Sequence, residues 1–227
     1  MIPDCSKLLI RNRLENTVIK LCNYLHDKLC FNIPKDELSL RRELVACILS
    51  SQVRYEMARM ALECIEASGL LSDDWWGSRD NKFEIQVYRI LASLGYRFPK
   101  IRAFQLNKAR NAIVNKSLLV MICNGEEPKD IRKYLVNEFS GLGPKQASMF
   151  LRNIGISNDL AILDNHVIRY MRLQNLLYNN RYNTSTLPAY ERVEKIIIDY
   201  ADKLGFPVGC LDLAIWATMR AARELRI

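Results

Sequence analysis

The residue types that could do chemistry are concentrated between Phe139 and Tyr170, which read FSGLGPKQASMFLRNIGISNDLAILDNHVIRY. This stretch holds a turn bracketed by two glycines, Lys145 at the expected start of a helix, and an Asp-Asn-His triplet (residues 164–166) that opens the next helix. A neutral lysine amine is a nucleophile, a carboxylate stabilises positive charge, and a helix N-terminus binds anions. The combination fits a site that holds a phosphate backbone and attacks a carbon beside it.

The turn before Lys145 has the composition of an anion-binding hairpin. Gly141 and Gly143 permit positive φ angles and let a phosphodiester approach bare backbone. Pro144 suits the first helical turn, where its missing N–H costs nothing. A plain connection between two helices would have the same composition, and it is the nearby Lys145 and Asp164 that favour phosphate binding.

The reactivity of Lys145 depends on its charge. Attack needs the neutral amine, whereas an ordinary lysine has a pKa of about 10.4, so deprotonation at pH 7 costs roughly 4.6 kcal/mol. Burial and the positive end of a helix both disfavour the ammonium, and an ionised Asp164 nearby would favour it. Asp164 directly precedes an apolar-periodic helix, which predicts that it caps that helix.

Four segments of the sequence resemble the helix-hairpin-helix DNA glycosylase superfamily, and within it the type 2 8-oxoguanine DNA glycosylase/lyases. They are ILSSQVRYEMA (48–58), GLGPKQAS (141–148), LAILDNHVIRY (160–170) and LDLAIW (211–216). These segments follow the order of the family and span most of the chain. The resemblance implies a bifunctional enzyme of base excision repair, which removes 8-oxoguanine from duplex DNA and then cuts the strand by β-elimination.

The resemblance also implies roles for residues around the hairpin. Lys145 would attack the anomeric carbon and form a Schiff base, while Asp164 would stabilise positive charge on the sugar and orient the nucleophile. Gly141 and Gly143 would contact the DNA backbone. His166 would contact a phosphate beside the lesion, although a lone histidine also fits a structural role.

Three further residues are implied to handle the base. Asp212 and Trp216 lie four apart on an expected helix, hence on one face. By resemblance, Asp212 would hydrogen-bond the flipped base and Trp216 would stack on it, but Trp216 also fits an ordinary core position. Gln52 stands where many members of the superfamily place a residue that enters the DNA stack, and it could equally lie on a helix surface.

No cofactor is expected beyond a monovalent ion, which the family implies at the carbonyls near Gly141 and Gly143. Some members of the superfamily carry a four-cysteine iron–sulfur cluster, but only Cys210 lies in the corresponding region, so no cluster is expected. No His, Cys and Asp spacing suggests a catalytic metal. In this branch the C-terminal carboxylate can reach the base, and the tail Arg223–Ile227 looks slightly longer than that contact needs.

The composition is compatible with a nucleic acid or an acidic membrane as partner, and equally with a basic surface of no special function. The chain has 33 Lys+Arg against 25 Asp+Glu, a net charge of +8 and a pI near 9.2, which attracts polyanions. The segment from Arg97 to Lys116 has six basic residues and no acidic one, and is either a solvated face or a phosphate-contacting surface. Seven scattered cysteines and the lack of an apolar run of membrane length predict a reduced, cytoplasmic protein, nucleoid-associated in a prokaryote. We expect a monomer.

The apolar periodicity predicts an all-α fold of two helical lobes. The expected helices are residues 8–30, 38–50, 55–67, 84–94, 103–115, 131–139, 145–153, 165–176, 189–204 and 211–225. Breaks are predicted at Asp73-Asp74 and at Gly95–Pro99. Residues 34–157 would form the lobe with the helix-hairpin-helix, and residues 1–33 with 158–227 the other, with the active site in the cleft between them.

Two alternatives remain open from the sequence. A lysine-dependent glycosylase/lyase for oxidised pyrimidines would keep Lys145 and Asp164 and differ in its base pocket. A helix-hairpin-helix protein that binds DNA without cutting it would need the hairpin glycines and could dispense with both of those residues.

Overall fold

The structure is a computed structural model that describes residues 5–26, 36–80, 82–114, 117–122, 127–177 and 182–224. Within these ranges the chain forms twelve α-helices and no strand, which confirms the predicted all-α class. The helices are α1 Cys5–His26, α2 Glu37–Leu49, α3 Tyr55–Ala67, α4 Asp73–Trp76, α5 Lys82–Ser93, α6 Pro99–Ile113, α7 Leu118–Ile122, α8 Pro128–Glu138, α9 Pro144–Asn153, α10 Asn165–Leu173, α11 Leu187–Leu204 and α12 Val208–Glu224. No helix in the described part is long and apolar enough to cross a membrane.

The contacts divide the chain into two compact units. Residues 32–156 form the first, here the hairpin unit, and residues 1–31 with 157–227 form the second, here the terminal unit. The predicted lobes were residues 34–157 and residues 1–33 with 158–227, and the boundary at Pro34 lies outside the described residues.

The hairpin unit is built around α2. This helix is apolar on more than one face, so it can bury side chains such as Leu40, Leu44 and Ile48 against several neighbours at once. It packs on α3, α6, α7 and α9, while α5 packs on α6 and α8 packs on α9. Asp36 caps α2 by accepting a hydrogen bond from the Ser39 amide at 2.7 Å. Helix α2 therefore supports α9 by direct packing.

The terminal unit is built around α12, which packs on α1, α10 and α11. Cys22 of α1 and Cys210 of α12 lie in its core, and each thiol donates to the carbonyl of the other residue, at 3.9 and 3.6 Å. Burial raises the pKa of Cys22 to about 12, so this thiol is protonated at neutral pH. Both cysteines are free thiols in the core, as predicted.

The structure differs from the sequence prediction at several helix starts. The predicted break at Asp73-Asp74 is the short helix α4, and α7 was missed. Helix α6 begins at Pro99 instead of Ala103, because a proline is compatible with the first position of a helix although it ends one elsewhere. The predicted break at Gly95–Pro99 was therefore wrong at Pro99, which belongs to α6. The helix includes residues 99–102, about one turn, before the predicted start at Ala103.

Candidate active site

The predicted hairpin is present, with α8 and α9 joined by residues 139–143. Gly141 has φ +91°, which an L side chain rarely adopts, and the Leu142 side chain is buried as the inward anchor of the turn. Gly143 has φ −76° and is the N-cap residue of α9, so of the two glycines it is Gly141 that adopts a positive φ. The lack of a side chain at Gly143 leaves the backbone before α9 uncovered. The lack of a side chain at Gly141 allows the positive φ that the turn requires.

A side chain of α6 lies directly over Gly141. A Cβ added at this glycine would lie 2.8 Å from Gln105 Cδ and 3.1 Å from Gln105 Cβ. The 2.8 Å distance is shorter than real carbon contacts, so a side chain at position 141 would require Gln105 to move. The hairpin turn is thereby packed against α6 as well as against its own helices.

Lys145 differs from the other lysines that stand in the same local position. Helices α6, α8 and α9 all begin with Pro-Lys, at Lys100, Lys129 and Lys145 respectively. Lys100 and Lys129 are exposed, whereas Lys145 is half-buried. The first turn of α9 has no acidic residue, and its N-cap, Gly143, provides no side-chain hydrogen bond. Backbone amides at a helix start are groups that can bind an anion.

The buried thiol of Cys47 on α2 lies near Lys145, and its hydrogen-bond partner is the half-buried Glu43. Glu43 Oε1 accepts hydrogen bonds from Asn153 Nδ2 at 2.7 Å and from Cys47 Sγ at 3.3 Å. Burial raises the pKa of Glu43, and burial together with the Glu43 carboxylate raises the pKa of Cys47 far above its usual range. The positive charges of Lys145 and Arg152 act on the Cys47 pKa in the opposite direction. The thiol is thus protonated at neutral pH and lies within the electrostatic reach of Lys145.

Asp164 caps α10, as its position before an apolar-periodic helix predicts. Its Oδ1 accepts the Val167 amide at 2.8 Å, and the side chain is half-buried. A capping carboxylate is held in one orientation by that hydrogen bond. His166 lies in the first turn of the same helix and is half-buried.

The backbone that leads into Asp164 is held by three buried side chains. They act on three consecutive amides: Ala161 N donates to Glu194 Oε1 at 3.0 Å, Ile162 N to Asp212 Oδ2 at 2.7 Å, and Leu163 N to Tyr190 Oη at 2.9 Å. Tyr190 Oη also donates to the Ala161 carbonyl at 2.7 Å. The segment lies outside the helices, so these side chains satisfy three of its backbone amides and fix the approach to Asp164.

Tyr190→Phe is expected to lower the free energy of unfolding by about 2 kcal/mol. The substitution leaves the Leu163 amide and the Ala161 carbonyl buried without their partner, and each such group costs roughly 1–3 kcal/mol with partial relaxation. Urea unfolding followed by circular dichroism measures the loss. Tyr24→Phe, at a residue of the same unit that is 61% exposed, should change the value by less than about 0.5 kcal/mol. Equal effects of the two substitutions would contradict the anchoring role.

The structure gives Asp212 a role that the sequence did not indicate. Its side chain is 1% exposed and one oxygen accepts the Ile162 amide, so Asp212 is an anchor of the 160–163 segment. Trp216, one turn later on α12, is half-buried, and the Arg220 guanidinium lies over its ring at 5.2 Å. Base binding by either residue stays a prediction. The C-terminal carboxylate lies outside the described residues.

Gln52 lies in the turn between α2 and α3, so its alternative place on a helix surface was wrong. It is exposed and has φ +62°, one of two positive values among the described residues other than glycine. A left-handed conformation at a residue other than glycine or asparagine is uncommon and marks a constrained backbone. Its entry into a base stack stays a prediction.

The basic segment divides into two faces. Arg97, Lys100 and Lys108 are exposed, whereas Arg102 and Arg110 are buried and donate to backbone carbonyls. Lys116 lies outside the described residues. The segment is therefore neither wholly a solvated face nor wholly a phosphate-contacting one, because two of its arginines hold the fold. Among the described residues, no three His, Cys, Asp or Glu side chains are grouped to hold a metal ion.

Comparison with known proteins places these features in a family context. The family model described as 8-oxoguanine DNA glycosylase matches residues 26–206. An 8-oxoguanine DNA glycosylase/AP lyase of Thermoplasma acidophilum is 36% identical over 177 residues, which are 78% of each protein. The crystal structure of the 8-oxoguanine DNA glycosylase of Thermotoga maritima is similar with a TM-score of 0.67 and 27% identity, over 93% of this chain and 92% of that one.

A second solved structure shows the same fold. The 8-oxoguanine glycosylase/lyase of Methanocaldococcus jannaschii, in complex with 15mer DNA containing 8-oxoguanine, has a TM-score of 0.68 and 24% identity, over 91% of this chain and 89% of that one. The family match ends at residue 206, so Asp212 and Trp216 lie beyond it.

Proposed function

The chain belongs to the 8-oxoguanine DNA glycosylase family, and we propose that it excises 8-oxoguanine from duplex DNA with Lys145 as its nucleophile. It is a DNA glycosylase with AP lyase activity, and its partner is DNA. The observation that carries the assignment to Lys145 is its environment. Of three lysines that follow a proline at a described helix start, it is the half-buried one, whereas Lys100 and Lys129 are exposed.

In the proposed reaction the neutral Nζ of Lys145 attacks C1′ of the damaged nucleotide. The glycosidic bond breaks, the base leaves with the electron pair and takes up one proton from the attacking amine. The bond from C1′ to O4′ then breaks, O4′ takes up a proton from solvent, and the protonated Schiff base keeps the second N–H. Removal of a proton from C2′ then expels the 3′ phosphate, which cuts the strand on the 3′ side. Covalent attachment divides one difficult substitution into two easier steps.

Asp164 would act on the charge that develops during bond cleavage. The sugar becomes positively charged as the base leaves, and a carboxylate that is already oriented stabilises that charge without reorganisation. The Val167 amide provides this orientation, because it holds Oδ1 as a helix cap. The second oxygen can then face the sugar. Capping and catalysis are compatible roles for the same side chain.

The base must leave the duplex to be read, at a cost of a few kcal/mol. We propose that Gln52 fills the space in the stack, that Trp216 stacks on the flipped base and that Asp212 hydrogen-bonds the base. Arg220, over the Trp216 ring, adds a positive charge beside the same aromatic surface. The expectations of a monomer and of a cytoplasmic location stay predictions.

The hairpin would hold the DNA backbone through Gly141, Gly143 and the backbone amides at the start of α9, with His166 contacting a further phosphate. A monovalent ion would fit at the carbonyls near Gly141 and Gly143, since a carbonyl oxygen has two lone pairs and the Gly143 oxygen accepts the Ala147 amide with one of them. Such an ion would neutralise part of a phosphate charge.

Gly141→Ala is expected to weaken binding to duplex DNA by about tenfold. The new Cβ must adopt φ +91° and displaces Gln105, so the turn that presents the backbone to phosphate is distorted. Fluorescence anisotropy with a labelled duplex measures the affinity. Gly69→Ala is the matched control, because Gly69 has φ +70° but open space around the added Cβ. If both variants bind DNA as the wild type does, the phosphate role of the turn is refuted.

The proposed substrate is tested with a panel of duplexes. Each duplex carries one 8-oxoguanine, one oxidised pyrimidine or no lesion, and excision is measured under single-turnover conditions with excess enzyme. We expect excision and strand cleavage of the 8-oxoguanine duplex at rates well above the others. Preference for the pyrimidine lesion would support the alternative lysine-dependent lyase, and binding without any cleavage would support the non-catalytic alternative.

A further inference from the structure

The connection from α5 to α6 holds the turn that carries Gln52. Three side chains from this region point at backbone carbonyls of the turn: the Tyr96 hydroxyl donates to Leu49 O, Arg102 Nη2 donates to Ser51 O at 2.8 Å, and Arg97 Nη1 lies 3.5 Å from Gln52 O. Tyr96 is 3% exposed and Arg102 is 5% exposed. Two buried side chains and one surface arginine therefore fix a stretch of four residues.

This fixation explains how Gln52 keeps its backbone conformation. Residues in the left-handed region persist only where the surroundings over-determine them. The Ser51 carbonyl, directly before Gln52, is one of the bonded groups, so its peptide plane cannot rotate freely. The Gln52 side chain remains exposed at the tip of the turn. The turn thus presents one polar side chain outward on a rigid base.

The second arm of Arg102 reaches toward the hairpin. Arg102 Nη1 donates to Gln105 Oε1, and Gln105 is the side chain that lies over Gly141. One guanidinium is therefore linked directly to the Gln52 turn and, through Gln105, to the hairpin turn. A planar guanidinium can serve two such acceptors in fixed directions, which a lysine ammonium on a flexible stem cannot do.

We propose that Arg102 is a positioning residue that couples the Gln52 turn to the hairpin turn. It would keep a fixed distance between Gln52, which enters the base stack, and the turn that binds the phosphate backbone. The inference rests on the proposed function, in which Gln52 acts during base flipping. Opening a base pair has a cost that a loosely held side chain cannot offset, because part of the binding energy would go into ordering it. Arg102 acts through Gln52 and touches no substrate.

A double-mutant cycle tests this coupling. The variants are Gln52→Ala, Arg102→Lys and the combination of the two, and base opening is measured as the fluorescence rise of a 2-aminopurine placed beside 8-oxoguanine in a duplex. We expect each single substitution to lower the equilibrium for opening by about tenfold, and the double variant to be no worse than Gln52→Ala within about twofold. Such non-additivity means that Arg102 has no effect once Gln52 is gone.

Arg110→Lys is the matched control. Arg110 lies on the same helix, is fully buried, and donates to the backbone carbonyls of Trp75 and Asp80, away from the Gln52 turn. Arg110→Lys would change the base-opening equilibrium only through general stability. Its fold-change should therefore multiply with the fold-change caused by Gln52→Ala. If Arg102→Lys does not fold, Gln105→Ala replaces it, because Gln105 is half-buried and its loss breaks the same link with the same expected non-additivity.

Two outcomes overturn the inference: multiplicative effects of Arg102→Lys and Gln52→Ala, or no effect of Gln52→Ala on base opening. Excision of 8-oxoguanine by the wild type is measured on the same duplex. Its absence would refute the proposed function and not the coupling, since the fluorescence cycle reports base opening without excision.

Discussion

Lys145→Gln is expected to lower the rate of 8-oxoguanine excision by at least about a thousandfold, because the amide nitrogen of glutamine is not a nucleophile. Strand cleavage at a preformed abasic site should fall with it, since both steps pass through the same Schiff base. Glutamine has a similar length and suits the first turn of α9, so the fold and the affinity for duplex DNA should be kept within about fivefold. Single-turnover excision and anisotropy measure the two quantities.

Lys129→Gln is the matched control for this substitution. Lys129 follows Pro128 at the start of α8, just as Lys145 follows Pro144 at the start of α9, but it is exposed and has Asp130 beside it in the first turn. Its replacement should leave excision unchanged within about twofold. A Lys145→Gln variant that retained a tenth or more of the wild-type rate would remove this lysine from the chemistry.

Asp164→Asn is expected to lower the rate of excision by about a hundredfold to a thousandfold, the usual loss when one preorganised electrostatic partner of a transition state is removed. Asparagine caps a helix about as well as aspartate, and its oxygen can still accept the Val167 amide. The melting temperature should therefore change little. A loss of rate at preserved stability isolates the charge of Asp164 from its capping role.

Asp36→Asn provides the control for a capping aspartate. Asp36 caps α2 by the same type of bond, in which a carboxylate oxygen accepts the amide of the third residue on. Its substitution should alter neither the rate nor the melting temperature appreciably. If Asp164→Asn and Asp36→Asn behave alike in the excision assay, Asp164 is only a cap.

The hairpin and the cap of α10 could be predicted because their signals are local. Glycine and proline mark the turn before α9, and Asp164 directly precedes an apolar-periodic helix, so neighbouring residues decide both features. The predicted start of α9 at Lys145 is one residue from the observed Pro144. The half-burial of Lys145 was not predictable, because it depends on α2, about a hundred residues earlier in the chain.

The role of Asp212 could not be predicted for a similar reason. Its spacing from Trp216 places both on one face of a helix, but that pattern does not reveal which distant backbone amide lacks an acceptor. The Ile162 amide needs a side-chain acceptor because the 160–163 segment forms no regular structure, and Asp212 is that acceptor. An isolated acid in an otherwise apolar helix stretch was the available signal for an anchoring role.

The two buried arginines of α6 did leave a signal in the sequence. Arg102, Leu106, Arg110 and Ile113 are separated by four, four and three residues, so they lie on the apolar stripe of the helix, whereas Lys100, Phe104 and Lys108 lie elsewhere. A count of charges along the segment hid this difference. Assigning each charge to a helix face would have separated the arginines that hold the fold from the lysines available to DNA.

The most direct test of the account is borohydride trapping followed by peptide mapping. The wild type is mixed with a duplex that carries one 8-oxoguanine, the Schiff base is reduced to a stable amine, and mass spectrometry locates the modified residue after proteolysis. The account predicts one covalent adduct, on the peptide that contains Lys145. Excision without any adduct, or an adduct on another lysine such as Lys100 or Lys129, would contradict it.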